Sequence, residues 1–206
     1  QGKDYGELDF DTLTGHEKYS GKFIISEGNL KYLPSKLSEK EQEWAKEIGI
    51  TAGGYELEGG TDGVEINGGT LLASTYTGTE TDIIIPKDVS MIGMNAFSGC
   101  STLSSVIISN SVRGIDEMAF SGCTSLTSVT MSNNLGYIGI AAFSRCTSLT
   151  SVTIPSSVTT IRDGAFFGCT NLTITISEST AKTCFGDTAT EDSLKTTLGV
   201  KAVVFK

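Results

Sequence analysis

Four phenylalanines stand 23 residues apart, at Phe97, Phe120, Phe143 and Phe166, and three further residue types keep the same step. Cysteine recurs at Cys100, Cys123, Cys146 and Cys169, leucine at Leu103, Leu126, Leu149 and Leu172, and isoleucine at Ile92, Ile115, Ile138 and Ile161. Four units, 83–105, 106–128, 129–151 and 152–174, align without a gap. A fixed period of this length constrains the fold more than any local propensity. Each unit is too small to bury its own apolar side chains, so the units must stack and bury them against one another.

The pattern inside a unit predicts one coil of a solenoid. Ser105–Val106–Ile107–Ile108–Ser109 alternates like a short strand, and stacking sets such strands side by side in a parallel sheet. Pro86 and Pro155 stand at the strand end, where a backbone donor is expendable. Val112 and Ile115, then Ala119, Phe120 and Cys123, suit a short helical or 3₁₀ turn on the opposite side. The predicted inward set of a coil is therefore Leu103, Val106, Ile108, Val112, Ile115, Ala119, Phe120 and Cys123.

The repeated pattern, AFSGCTSLTSV at 119–129 with Ile154–Pro155, Ser157–Val158, Ile161 and Ala165–Phe166 completing it in the last coil, resembles the BspA-like, treponemal-type leucine-rich repeat over about 67–178. Ser109 and Ser132 replace the strand-end proline, Arg145 replaces the glycine found at 99, 122 and 168, and one residue is missing between Leu172 and Ile176. The resemblance implies an α/β solenoid, a right-handed superhelix of 23-residue coils with a parallel sheet. It also implies a secreted or cell-surface bacterial protein, often adhesive.

The ends depart from the repeat. Residues 67–82 read as a hairpin lead-in turning around Thr77–Gly78–Thr79–Glu80, with Gly69, Leu71, Tyr76 and Gly78 resembling the family's approach to its first coil. Residues 175–206 read as a C-terminal cap whose Ala202–Val203–Val204–Phe205 forms a last strand over the sheet edge. Residues 1–66 read as a separate small α+β region. It holds strands at Lys22–Ser26 and Leu30–Leu33 and a helix over 38–48 opened by a Ser38/Glu41 capping box and stopped at Gly49. The glycine-rich 52–69 stretch follows as a linker or a set of tight turns. A region this small is marginal alone, and it is expected to pack on the first coil.

Charge separates the two parts. Residues 1–82 hold seven lysines against sixteen Asp and Glu, and residues 83–206 hold eight of each sign, so the whole net charge of −9 lies before the coils. An acidic chain argues against a nucleic-acid partner. No run of 18 apolar residues exists, so no membrane span is expected. No basic and apolar leader is visible at Gln1, so in an exported chain the signal is already removed.

Candidate chemistry is sparse. His16 is the single histidine, and with Asp9, Asp11 and Glu17 it reads as a solvated acidic loop. Asp62–Asn67 lacks the alternating acids of a calcium loop. Asp116, Glu117 and Asp163 read as solubilising charge on the turn side. The periodic cysteines fit no zinc spacing. They are expected to form a buried, reduced packing column on the outer, wider side of a curved solenoid, with neighbours farther apart than the strand spacing of about 4.8 Å. Cys184 stands outside the column. No catalytic residue, metal or cofactor is expected, and the chain reads as non-enzymatic.

The outward strand face is the better candidate. With Val106 and Ile108 inward, one outward column is Asp82, Ser105, Ser128 and Ser151, and the other is Ile84, Ile107, Thr130, Thr153 and Thr175. Ile84, Ile107, Thr130, Thr153, Ser105, Ser128 and Ser151 are the predicted contact residues for an extracellular host or microbial protein, with Ile84 and Ile107 as an apolar corner. The alternative is a structural spacer that displays residues 1–66.

Overall fold

The computed structural model describes residues 23–26, 29–32, 37–47, 51–52, 55–56, 64–73, 76 and 80–206. The chain divides into two compact units, Gln1–Glu56 and Leu57–Lys206, a division earlier than the 66/67 boundary expected from composition. In the first unit β1 (Phe23–Ser26) pairs antiparallel with β2 (Asn29–Tyr32), and β2 pairs parallel with β3 (Thr51–Ala52). Between β2 and β3 lies α1 (Glu39–Glu47), and β4 (Tyr55–Glu56) ends the unit. The expected capping box is present. The Ser38 N–H donates to the Glu41 carboxylate at 2.9 Å, and the Glu41 N–H donates back to Ser38 Oγ at 3.4 Å. The predicted stop at Gly49 lies outside the described residues.

The second unit is the solenoid, and every coil has three sides. The first carries β7 (Asp82–Ile84), β9 (Ser105–Ile107), β11 (Ser128–Thr130), β13 (Ser151–Thr153), β15 (Thr173–Ile176) and β16 (Ala202–Phe205). The second carries β5 (Val64–Asn67), β6 (Thr70–Ala73), β8 (Met91–Ile92), β10 (Gly114–Ile115), β12 (Tyr137–Ile138) and β14 (Thr160–Ile161). Apart from the antiparallel β5–β6 pair, both sides run parallel, and from β7 to β14 the register is the sequence period itself: Ser105 faces Ser128, and Ile115 faces Ile138. The residue missing after Leu172 appears as Ser151 pairing with Thr173, which restores the phase for the last coil.

Of the two expected forms, a helical or a 3₁₀ turn, the third side has the i→i+3 bonds of the second but is not a continuous helix. It is a chain of i→i+3 turns, such as Ser98 N–H to Asn95 O at 3.0 Å and Cys100 N–H to Phe97 O at 3.1 Å. Residues with positive φ interrupt it at Asn95 and Gly99 and at their equivalents in the later coils. That backbone turns every other N–H toward the neighbouring coil. Phe97, Phe120 and Phe143 donate to Ala119, Ala142 and Ala165 carbonyls at 2.6–2.7 Å. The third side is therefore hydrogen-bonded from coil to coil like the strands, where a helix would keep its bonds to itself.

The eight predicted inward residues of the second coil are all buried, and the four repeat phenylalanines are fully so. Their rings form a stack with centroid spacings of 5.0, 5.1 and 5.5 Å and interplanar angles of 7° or less. Tyr76 closes the stack at its first end, 5.7 Å from Phe97 and tilted by 58°. Full burial of each such ring contributes about 1.5–3 kcal/mol, and each face contact adds to it.

The lead-in contains a hairpin, while Thr77–Thr79 of the expected turn lie outside the described residues. β5 and β6 turn at Gly68 and Gly69, with φ of +56° and +78°. A two-residue turn that matches strand twist needs two consecutive positive φ values, which Gly–Gly supplies without strain. The strands that flank 77–80 belong to different sides: β6 pairs with β8, and β7 pairs with β9. At the far end β16 covers β15 as expected, and two helices absent from the sequence reading, α2 (Glu178–Phe185) and α3 (Glu191–Leu198), complete the cap. They add Ala181, Leu194 and Leu198 to the core, and Glu191 accepts the Phe205 N–H of the edge strand at 2.7 Å.

Candidate functional site

The outward residues of the first side stand where the alternation places them. Thr130, Thr153 and Ser151 are exposed, while Ser105, Ser128 and Ile107 are half-buried. Asp82 Oδ1 accepts the Ser105 hydroxyl across the ladder, and Thr81 Oγ1 donates to Asp82 Oδ2. The hydroxyl column thus begins at an anchored carboxylate. Two features depart from expectation. Ile84 is buried, at 5% exposure, and faces Ile107 in the ladder. A covered side chain offers no surface, so the predicted Ile84/Ile107 corner is not an exposed one. The face is also not one sheet: β7, β9 and β11 form one ladder, β13, β15 and β16 another, and no ladder joins β11 to β13. Val129, at this seam, is half-buried where its equivalents Val106 and Val152 are buried.

The cysteine column is free and buried as expected. The ring stack beside it rises 5.0–5.5 Å per coil, more than the strand spacing of about 4.8 Å. The thiols are also occupied. Cys123, Cys146 and Cys169 donate to the Phe97, Phe120 and Phe143 carbonyls of the preceding coil at 3.1, 3.2 and 3.0 Å. Burial pushes the Cys100 thiol up to about 11, helped by the neighbouring Cys123. The sulfurs of Cys123 and Cys169 on either side, and then burial, push Cys146 far above the ordinary thiol range. Cys184 is half-buried, and burial raises it to about 11. At Cys100, Cys146 and Cys184 a reactive thiolate would need the opposite surroundings.

Of the acidic residues considered from sequence, Asp116, Glu117 and Asp163 lie at the corner between the second and third sides, and Asp116 Oδ1 accepts the Glu117 N–H at 2.7 Å. His16, Asp9, Asp11, Glu17 and Asp62 lie outside the described residues. From Val64 the faint calcium-loop stretch is strand β5. Among the described residues no group of three His, Cys, Asp or Glu is placed to hold a metal ion, and no helix is long and apolar enough to cross a membrane.

Sequence reasoning missed an apolar feature of the third side and its corner, where Met94, Met118, Ile140 and Phe167 are exposed. The available signal was that Met94 and Ile140 share one repeat position, which carries Glu117 in the coil between them and Asp163 in the coil after.

A family model described as the BspA-type leucine-rich repeat region matches residues 74–193 in six copies. The chain belongs to this family. Among solved structures, this BspA-type solenoid is similar to a leucine-rich cell surface protein from Faecalibacterium prausnitzii, at 25% identity and a TM-score of 0.56. That match covers 76% of this chain and 40% of the other. A leucine-rich repeat protein from Treponema pallidum is 26% identical over 58% of this chain and 71% of its own, with a TM-score of 0.45. One from Bacteroides capillosus is 34% identical over 46% and 78%, with a TM-score of 0.42. None of the curated proteins compared matches the chain.

Proposed function

We propose that this chain is a non-enzymatic, extracellular or cell-surface module that binds a host or microbial protein through the outward strand face of its BspA-type repeats. The observation that carries the reading is the display of small hydroxyls on both ladders: Ser105 in register with Ser128 on the first, which ends at Thr130, and Ser151 and Thr153 in register with Thr173 and Thr175 on the second. These residues are not part of the buried core. Short hydroxyl side chains on a rigid backbone lose little entropy on contact and both donate and accept hydrogen bonds. Ile107 adds a half-buried apolar contact at the centre of the first ladder. The likeness to a leucine-rich cell surface protein supports the location.

The test is capture of extracellular-matrix and bacterial-surface proteins on the immobilised chain, followed by a Thr130→Arg/Thr153→Arg variant. Loss of a captured protein on this change, with unaltered melting, supports the reading. Capture that survives the change, or capture by residues 1–66 alone, points to the spacer alternative.

A further inference from the structure

We propose that the corner between the second and third sides of the solenoid docks a basic amphipathic helix laid along the solenoid axis. Met94, Glu117, Ile140 and Asp163 occupy one position of the repeat in four successive coils. Their backbones are locked in line: the Asn95 N–H donates to Glu117 O at 3.0 Å, Met118 to Ile140 O at 2.9 Å, and Ala141 to Asp163 O at 3.1 Å. The residue after each is left-handed, with φ of 59°, 54°, 52° and 63° at Asn95, Met118, Ala141 and Gly164. All four coils therefore turn the corner in the same way, and the column reads apolar, acidic, apolar, acidic along one edge.

The column is open to solvent. Met94 is 55% exposed, Ile140 42%, and Met118 beside them 38%. Asp163 is exposed and Glu117 half-buried, and neither forms an ion pair among the described residues. Asp116 adds a further carboxylate next to Glu117, and Arg162 adjoins the Asp163 end, leaving acids in the majority.

The rise of the column selects the occupant. Coils are 5.0–5.5 Å apart in the ring stack, and an α-helix advances about 5.4 Å per turn. A helix along the edge thus presents one residue per coil, at i, i+4, i+7 and i+11. An extended strand repeats the same face every ~6.8 Å and falls out of step within two coils. Charge complementarity then sets the pattern: apolar at i and i+7 against Met94 and Ile140, and Lys or Arg at i+4 and i+11 against Glu117 and Asp163. Thioether side chains such as Met94 and Met118 adapt to varied apolar partners. The exposed apolar area, on the order of a few hundred Å², suits a helical segment.

The experiment uses the full chain and stapled helical peptides, read by fluorescence anisotropy. One peptide carries Leu at i and i+7 and Lys at i+4 and i+11, a second has the same composition scrambled, and a third has Glu for Lys. The patterned basic peptide is expected to bind about tenfold or more tighter than the scrambled one, and added salt should weaken it. Glu117→Lys/Asp163→Lys should cost about tenfold and favour the Glu peptide, and Met94→Ser/Ile140→Ser should cost a similar factor. Equal binding of patterned and scrambled peptides overturns the proposal, as does unchanged binding by both variants with native melting. Thr130→Arg/Thr153→Arg leaves this binding intact, so failure here is separable from failure of the strand-face reading.

Discussion

The thiol of Cys146 donates to the carbonyl of Phe120 in the preceding coil at 3.2 Å, while the ring of Phe120 stacks 5.1 Å from that of Phe143. One pair of repeat positions thus supplies both the apolar stack and the polar tie between coils. Phe120 lies in the middle of the stack and is fully buried. Phe120→Ala should destabilise the solenoid by about 3–5 kcal/mol through lost burial and the cavity left between two rings. Denaturant titration of the variant beside the native chain measures this, and a cost below 1 kcal/mol would contradict the packing described.

The thiols make stability depend on alkaline pH. In the folded chain Cys100 holds its proton up to about 11, whereas an unfolded cysteine releases it near 8.5. The unfolded state therefore binds fewer protons between these values. The contribution is complete below about pH 8.5 and is lost as pH rises through about 11. Melting temperature should fall across that window more steeply than in a Cys100→Ala variant. Ellman's reagent at neutral pH should find the column thiols slow in the native chain and fast in denaturant.

Two glycines separate tight from yielding contacts. A Cβ at Gly139 would lie 2.7 Å from the Asp116 carbonyl carbon and 2.8 Å from the Glu117 nitrogen, both backbone atoms of the preceding coil. A Cβ at Gly114 would meet the flexible end of Met91 at 2.7 Å and touch Tyr137 Cδ1 at an ordinary 3.7 Å. Gly139→Ala should cost about 2–3 kcal/mol and Gly114→Ala under about 1 kcal/mol, compared by chemical denaturation.

Left-handed residues that are not glycine offer the opposite effect. Ala141 sits at φ 52° and Arg145 at φ 61°, and the coils equivalent to Arg145 carry Gly99, Gly122 and Gly168 at φ 75–82°. An L-residue pays roughly 1–2 kcal/mol for this backbone, partly returned as unfolded-state entropy when glycine replaces it. Ala141→Gly and Arg145→Gly should each raise stability by about 0.5–1 kcal/mol. Arg145→Gly should gain less, because the arginine side chain lies against Gly168. Differential scanning calorimetry resolves the two.

Much of this was legible because a stacked repeat converts sequence distance into spatial contact. Once Phe97, Phe120, Phe143 and Phe166 shared a period, their stacking, the ladder register and the inward set from Leu103 to Cys123 followed. The capping box at Ser38 and Glu41 was equally readable, since its partners lie within one turn. The hairpin at Gly68–Gly69 was displaced to 77–80 because both stretches carry turn residues, and only strand pairing distinguishes them. The α2 and α3 helices lie in a polar tail with only two or three apolar residues each, too few to stand out, although Leu194 and Leu198 are four apart, as are Ala181 and Phe185. Their Ser177 and Thr190 caps were the further signal available.

By itself the sequence determined which residues are neighbours from coil to coil and which of them face inward, because the period permits one register. Only the tertiary structure decided which outward positions are open. Burial of Ile84, the seam between β11 and β13, the thiol-to-carbonyl ties and the exposed Met94–Ile140 corner all depend on distances between whole coils. A period names the neighbours along a column, but exposure and pairing depend on what packs across it.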